Sequence, residues 1–256
     1  MSISVLVPTN VEAENIESPA RESVAVLLPT YCEAENIASL IREIQELKLD
    51  LTIAVIDDSS PDGTADIVSK LKKKYGNIHL ISRPAKLGLG TAITDGFRYM
   101  LGLRKTPDYI LTMDADYSHN PQDISKLLKT ARKGYDLVIG SRYVQEGKVI
   151  GSSLRRRVIS RLANLVATVT VRARLNDCTS GFRCYSKRYI NDVLPSLHSQ
   201  TYEIQIETIK QARLNRFTIR EVPITFMNRK RGKSKLTQTE IQGFISYILR
   251  GCLRMK

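Results

Sequence analysis

The sequence predicts an α/β fold, a mostly parallel central sheet with helices on both faces. Three observations predict it. Short apolar runs that do not alternate with polar residues mark strands buried on both faces. Between them lie stretches with apolar residues three and four apart, the spacing of amphipathic helices. Acidic and hydroxyl residues then collect just beyond the apolar runs, where folds of this kind bind ligands.

The elements follow in order. Residues 24–29 are a continuous apolar run and form the first strand. Residues 34–49 carry Ile37, Leu40, Ile41, Ile44 and Leu47 on one helical face. Residues 51–57 are a second strand ending in Asp57-Asp58, and Asp62-Gly63 turns the chain into a helix over 64–74. A strand over 78–82 and a helix over 91–103 come next. The strand over 109–114 runs into Asp114-Ala115-Asp116. Pro121 opens a helix over 121–133, where its missing N–H costs nothing. Residues 137–141 form a strand that ends at Ser141-Arg142. Beyond Arg142 the alternation fades into a basic helix over 155–171, a short strand over 182–185, a helix over 202–214, a strand over 217–227, a basic loop over 228–236 and a helix over 238–253. The last helix places Ile241, Phe244, Ile245, Ile248, Leu249 and Leu253 on one face, which suits docking on the core or lying in a membrane interface.

Composition limits the partners. A chain of 256 residues buries roughly three-quarters of its extended surface and needs no disulfide or metal staple. The formal charge of +13 favours anionic partners: nucleic acid, phosphorylated molecules or anionic membranes. The four cysteines make no CxxC pair and read as free thiols in a reducing compartment. Pro8, Glu12 and Glu14 interrupt any export signal, and no run reaches the roughly 20 apolar residues of a membrane span. The expectation is a protein that is soluble or sits on a membrane without crossing it.

The first residues contain a duplication. Val5 to Ile16 repeats Val26 to Ile37 with nine of twelve positions identical. The second copy continues into helical spacing, whereas the first runs into Ser18-Pro19, which stops a helix. The expected organisation is therefore a redundant arm over 1–22, a main domain over 23–236 and a terminal amphipathic helix over 237–256.

Several motifs could carry chemistry. Two carboxylates at the end of an apolar strand, Asp114 and Asp116, are costly unless paired. A divalent cation bridging them to phosphate oxygens resolves that cost; the alternative is a solvated strand end or a cap. Asp57-Asp58 reads either as a nucleotide contact or as a turn. The Gly88-Leu89-Gly90 segment lacks the third glycine of a dinucleotide fingerprint and the Lys-Ser/Thr of a P-loop, so it reads as a strand-to-helix loop. Arg155-Arg156-Arg157 and the cluster from Arg229 to Lys235 are either solvated faces or phosphate contacts.

These motifs, in this order, resemble the family-2 glycosyltransferases of GT-A fold, and among them the dolichyl- and polyprenyl-phosphate mannosyltransferases. The resemblance rests on Pro29-Thr30-Tyr31-Cys32-Glu33, Ile56-Asp57-Asp58-Ser59, Leu87-Gly88-Leu89-Gly90, Met113-Asp114-Ala115-Asp116, Gly140-Ser141-Arg142-Tyr143, Asp177-Cys178-Thr179-Ser180-Gly181-Phe182-Arg183 and Gly232-Lys233-Ser234-Lys235. It implies that Pro29, Tyr31, Glu33, Ile56 and Asp58 hold the nucleoside, that Ala115 lies against the nucleotide, and that Asp114, Asp116 and Ser118 bind Mg²⁺ or Mn²⁺. It implies that Arg142, Arg156, Arg229 and Lys235 face donor and acceptor phosphates. Cys32 stands where relatives carry Asn, and Asn10 replaces the tyrosine in the first copy.

The implied reaction is inverting transfer of mannose from GDP-mannose to a polyprenyl or dolichyl phosphate, by a protein held peripherally on the cytoplasmic face of a membrane, alone or through an anchor subunit. That membrane is the endoplasmic reticulum in a eukaryote and the plasma membrane in a prokaryote. The same fold with UDP-glucose or UDP-GlcNAc as donor is one alternative. A non-catalytic basic module binding lipid or nucleic acid is another, but it leaves the acidic strand ends unexplained, and the chain lacks the interleaved aromatics of a nucleic-acid binder.

Overall fold

The computed structural model describes residues 22–152, 154–228 and 247, without the side chains of 155–157 and 159. The strands are β1 (Val24–Thr30), β2 (Leu51–Asp57), β3 (Ile78–Ser82), β4 (Tyr109–Thr112), β5 (Leu137–Ser141), β6 (Lys148–Ile150), β7 (Arg183–Ser186), β8 (Ile219–Pro223) and β9 (Thr225–Met227). The helices are α1 (Ala34–Glu46), α2 (Thr64–Tyr75), α3 (Leu89–Leu101), α4 (Asp123–Ala131), α5 (Leu154–Val171), α6 (Lys187–Val193) and α7 (Ile204–Leu214). Seven strands make one sheet in the order β3-β2-β1-β4-β7-β5-β8, and β6 pairs with β9 beside it.

The second copy of the duplicated segment forms β1, parallel to both neighbours, with Leu27 opposite Ala54 on one side and Thr112 on the other. Side chains alternate along it. Val24, Val26 and Leu28 enter one core, under α1, α2 and α4. Ala25 and Leu27 enter the other, under α3, α5, α6 and α7. Of the apolar residues expected on the face of α1, Ile37, Leu40, Ile41 and Ile44 are fully buried, and Leu47, just past the end of the helix, is partly buried. Each fully buried side chain contributes about 1.5–3 kcal/mol relative to exposure. Tyr247 packs against the second core. The rest of the expected terminal helix, the arm over 1–21 and the basic loop from 229 onward lie outside the described residues.

The sheet is mostly parallel, as expected; the short strand near 182–185, whose direction the sequence left open, is antiparallel and inserts between β4 and β5. Two expectations are corrected. The strand expected over 217–227 is two strands. Pro223, which has no N–H to donate, ends β8 against β5, and the chain then leaves the main sheet to pair with β6, an element with no expected counterpart. The strand over 109–114 stops at Thr112, which frees Asp114 and Asp116 from the ladder.

Candidate active site

β2 and β3 lie on one side of β1, and β4 lies on the other. The crevice between the carboxyl ends of β1 and β4 is the topological switch point, the usual ligand position in an open α/β sheet. A cleft opens there, and Pro29, Tyr31, Glu33, Asp58, Asp114, Ala115 and Asp116 all line it. Ile56 does not: its side chain is fully buried in the second core. It reaches the strand end only through its carbonyl, which accepts from Thr30 Oγ1 at 3.4 Å.

The β2 end is a hydrogen-bonded turn. Asp57 accepts from Thr30 Oγ1 (2.8 Å), Ser60 Oγ (2.6 Å) and the Ser60 amide (2.9 Å). Asp58 is committed differently. Its carboxylate forms an ion pair with Arg83 and accepts from the amides of Leu87 (3.1 Å) and Gly88 (3.3 Å). Arg83 donates onward to Thr91 Oγ1 at 2.7 Å and the Gly88 carbonyl at 3.0 Å. Asp58 therefore shapes the cleft wall by holding the loop over 83–88. From the same loop Lys86 Nζ sits 5.3 Å from the ring centre of Tyr31. Sequence reading passed over both Arg83 and Lys86, although both lie in the Arg83-Pro84-Ala85-Lys86 stretch.

At the β4 end Asp116 is buried and accepts the Ser118 amide at 3.0 Å, while the Asp114 side chain is 43% exposed. Ser118 is buried beside them, and its Oγ makes no hydrogen bond among the described residues. His119 is buried between Phe182 and Phe226. Its Nδ1 accepts the Asp114 amide at 3.3 Å, so the proton of the ring sits on Nε2. Burial pushes its pKa down to about 4, against the pull of Asp116. The ring is thus neutral, and its 3.8 Å approach to the Asp114 carboxylate is not an ion pair. It orients the Asp114 backbone. Two carboxylates, one of them accessible, form an oxygen-only donor set that suits a hard cation also bound by phosphate oxygens. Among the described residues no group of three His, Cys, Asp or Glu forms a closed cage.

The antiparallel course of β7 brings the loop over 177–182 to the same edge. Asp177 grips Arg142 with two parallel bonds, Oδ2 to Nε at 2.7 Å and Oδ1 to Nη2 at 2.8 Å. Arg142 Nη2 also donates to Thr179 Oγ1 at 2.7 Å. Burial alone would raise the pKa of Asp177, but Arg142 holds it below the usual carboxylate range. Burial likewise works against the Arg142 charge, but Asp177 outweighs it and Asp114 adds to the effect. The guanidinium lies between the rings of Tyr143 and Phe226. Gly181 passes against the carboxylate of Asp114: a Cβ there would lie 3.3 Å from Oδ1. Arg183, fully buried, ties the loop to α7 through the carbonyls of Cys178, Ser180 and Gln205.

Gly88 and Gly90 have a packing reason. A Cβ on Gly90 would meet the Ser199 carbonyl at 2.3 Å, and one on Gly88 would meet the Gln200 carbonyl at 2.5 Å. The amide of Gly90 donates to Gln200 O at 2.9 Å. The first turn of α3 is therefore occupied by the loop over 198–203, as the strand-to-helix reading requires. That loop delivers Tyr202 to the cleft, a residue with no local motif to announce it. Its shape is held by Glu203 and Glu207, which accept its amides.

The structure thus gathers Pro29, Tyr31, Glu33, Asp58, Asp114, Ala115 and Asp116 at one cleft, with Ser118 and Arg142 behind it. Arg156 falls in the first turn of α5, and its side chain lies outside what is described, as do Arg229 and Lys235 entirely.

The profile of the family described as glycosyl transferase family 2 matches residues 25–194. The chain is 38% identical over 192 residues to the polyprenol monophosphomannose synthase of Mycolicibacterium smegmatis, covering 74% of this chain and 72% of that protein. It is 37% identical over 187 residues to the undecaprenyl-phosphate mannosyltransferase of Micrococcus luteus, covering 72% and 75%. Among solved structures it resembles glucosyl-3-phosphoglycerate synthase of Mycobacterium tuberculosis. With Mn²⁺, UDP and glucosyl-3-phosphoglycerate bound, that structure matches at TM-score 0.63 and 18% identity, over 91% of this chain and 79% of the other. With Mg²⁺ and UDP it matches at TM-score 0.62 and 18% identity, over 91% and 79%. At that identity the likeness establishes the fold, the expected GT-A arrangement.

Proposed function

Because the chain belongs to glycosyl transferase family 2, we propose that it transfers mannose from GDP-mannose to the phosphate of a polyprenyl or dolichyl monophosphate, with inversion at the sugar carbon. The observation that carries this reading is the meeting of Tyr31, Glu33, Asp114 and Asp116 in one cleft at the switch point, with Arg142 fixed by Asp177 at the same strand edge. The two bacterial relatives, named for mannose and polyprenyl phosphates, supply the chemical class of donor sugar and acceptor.

The acceptor phosphate is anionic near neutral pH, so its oxygen needs little help from a general base. The task of the site is to hold two anionic substrates together. Tyr31, with Lys86 over its ring, suits the face of the nucleobase, and Glu33 the polar edge of the nucleoside. Asp114 and Asp116 would hold Mg²⁺ or Mn²⁺, with Ser118 Oγ as a further oxygen close by. That ion, when bound, offsets the charge of the departing diphosphate. Arg142 offsets the repulsion between acceptor and donor, and Arg156, Arg229 and Lys235 are proposed to share that work. Asp58 contributes by fixing the loop over 83–88 rather than by reaching the nucleoside.

Among the described residues no helix is long and apolar enough to cross a membrane. A lipid acceptor suits peripheral attachment, directly or through an anchor subunit, on the cytoplasmic face of a membrane. Incubation with labelled GDP-mannose, UDP-glucose or UDP-GlcNAc and polyprenyl phosphate, with and without Mg²⁺ or Mn²⁺, tests the reading. Label should enter the lipid extract from GDP-mannose and only with metal. Transfer from a UDP-sugar alone would sink the assignment of donor.

A further inference from the structure

Ten large apolar residues are exposed among those described, and six lie on α5: Leu154, Val158, Leu162, Leu165, Val166 and Val169, between 43% and 77% exposed. At roughly 100° per residue they fall within an arc of about 120°. The opposite side of the helix buries Asn164, Ala167 and Val171. A water-facing helix side should be polar, so this stripe calls for a partner. The surrounding charge is one-sided. Residues 148–176 contain seven Lys or Arg and no Asp or Glu. Among them Lys148, Arg161, Arg172 and Arg174 are exposed. An apolar stripe on a segment whose only charges are positive matches the interface of an anionic bilayer, where each basic residue adds about 1 kcal/mol of attraction.

We propose that the outer face of α5 docks on an anionic lipid bilayer, so that membrane attachment runs through the main domain itself. The position has a functional sense that rests on the lipid-phosphate acceptor proposed above. Leu165 and Arg161 border a groove that also contains Arg142 and Tyr143. With α5 at the headgroup level, that groove leads from the bilayer surface toward the Arg142 guanidinium held by Asp177. A lipid phosphate can then approach Arg142 while its hydrocarbon chain stays in the membrane.

The chain contains no tryptophan, so a single introduced Trp reports its own surroundings. Leu162→Trp is placed on the α5 stripe. Ser39→Trp is placed on the exposed side of α1, across the sheet. Each full-length variant is mixed with vesicles of neutral phosphatidylcholine, or of phosphatidylcholine with phosphatidylglycerol, without donor or acceptor. The expected result is a blue shift of Leu162→Trp emission with the anionic vesicles, smaller with neutral ones and reversed by salt, and no shift for Ser39→Trp. In flotation, Val158→Gln/Leu162→Gln/Val169→Gln should lose partitioning at least about tenfold while keeping the melting temperature of the parent chain. Unshifted Leu162→Trp emission with anionic vesicles overturns the proposal. So does wild-type flotation of the triple variant, or a concentration-dependent dimer that this variant abolishes, since a second copy would then cover the face. Because neither substrate is present, failure here leaves the mannosyl-transfer reading standing, and failure of the transfer assay leaves the vesicle result intact.

Discussion

Asp177 holds Arg142 in a bidentate pair, with Oδ2 at 2.7 Å from Nε and Oδ1 at 2.8 Å from Nη2. The pair joins the end of β5 to the loop preceding β7, and both partners are largely buried. Removing the carboxylate leaves a buried guanidinium without its counter-charge and without a fixed direction. Asp177→Asn should cost about 3–5 kcal/mol of stability and lower turnover by about 100-fold through misplacement of Arg142. Denaturant unfolding and the transfer assay measure the two effects separately.

The same pair predicts a pH dependence. The Asp177 pKa is depressed in the folded chain, so its contribution is present above the unfolded value of about 4. It is lost as pH falls through the lower folded value. The stability gap between wild type and Asp177→Asn should therefore be full near pH 6 and narrow progressively below about pH 4. A gap that stayed constant down to pH 3 would contradict the ion pair as its source.

Asp58→Asn separates wall-building from ligand contact. Asp58 is engaged by Arg83 and two amides, so the substitution should lower the melting temperature clearly. At about 3 kcal/mol and roughly 2–4 °C per kcal/mol for a chain of this size, the drop is about 6–12 °C. Where the substituted chain remains folded, donor affinity should fall only severalfold. A loss of GDP-mannose binding with unchanged melting would instead make Asp58 a direct nucleoside contact.

Asp116→Asn should act the other way. It removes charge from the proposed metal pair without touching either core, so calorimetric Mn²⁺ binding in the presence of GDP should disappear and turnover fall by about 100-fold or more. Excess chelator should abolish wild-type activity, and added Mg²⁺ or Mn²⁺ should restore it.

Gly90→Ala tests the loop over 198–203. The new Cβ would meet backbone atoms of Ser199 and Gln200, which cannot rotate away. A loss of about 1–3 kcal/mol is expected, together with weaker donor binding because Tyr202 moves with the loop. Gly63→Ala, with nothing within 4 Å of its Cβ, is the comparison: only the cost of its positive φ remains.

Much of this architecture was legible in the residue pattern because the relevant signals are local. β1, β2 and β4 are continuous apolar runs, and the acids that follow each one mark the binding edge. What escaped was non-local. The run at 182–185 has the same appearance whether it pairs parallel or antiparallel. Arg83 lies 25 residues beyond Asp58, and Tyr202 reaches the cleft only because two glycines at the start of α3, Gly88 and Gly90, let another loop approach. Pro223, in hindsight, was a readable sign that the last strand is two. The resemblance to glycosyltransferases named Asp114 and Asp116, but Ile56 could not be sorted into core or cleft without the fold.

The insertion of β7 also bears on the order in which the chain can assemble. Strands β1 to β4 pair among themselves and are complete once residue 112 has been made. β5 has no neighbour on its β4 side until residues 183–186 arrive to bridge the gap. Asp114 therefore belongs to an early-pairing half and Arg142 to a late one. A nascent chain paused between them would display an apolar β5 and an open β4 edge, the kind of surface that recruits chaperones.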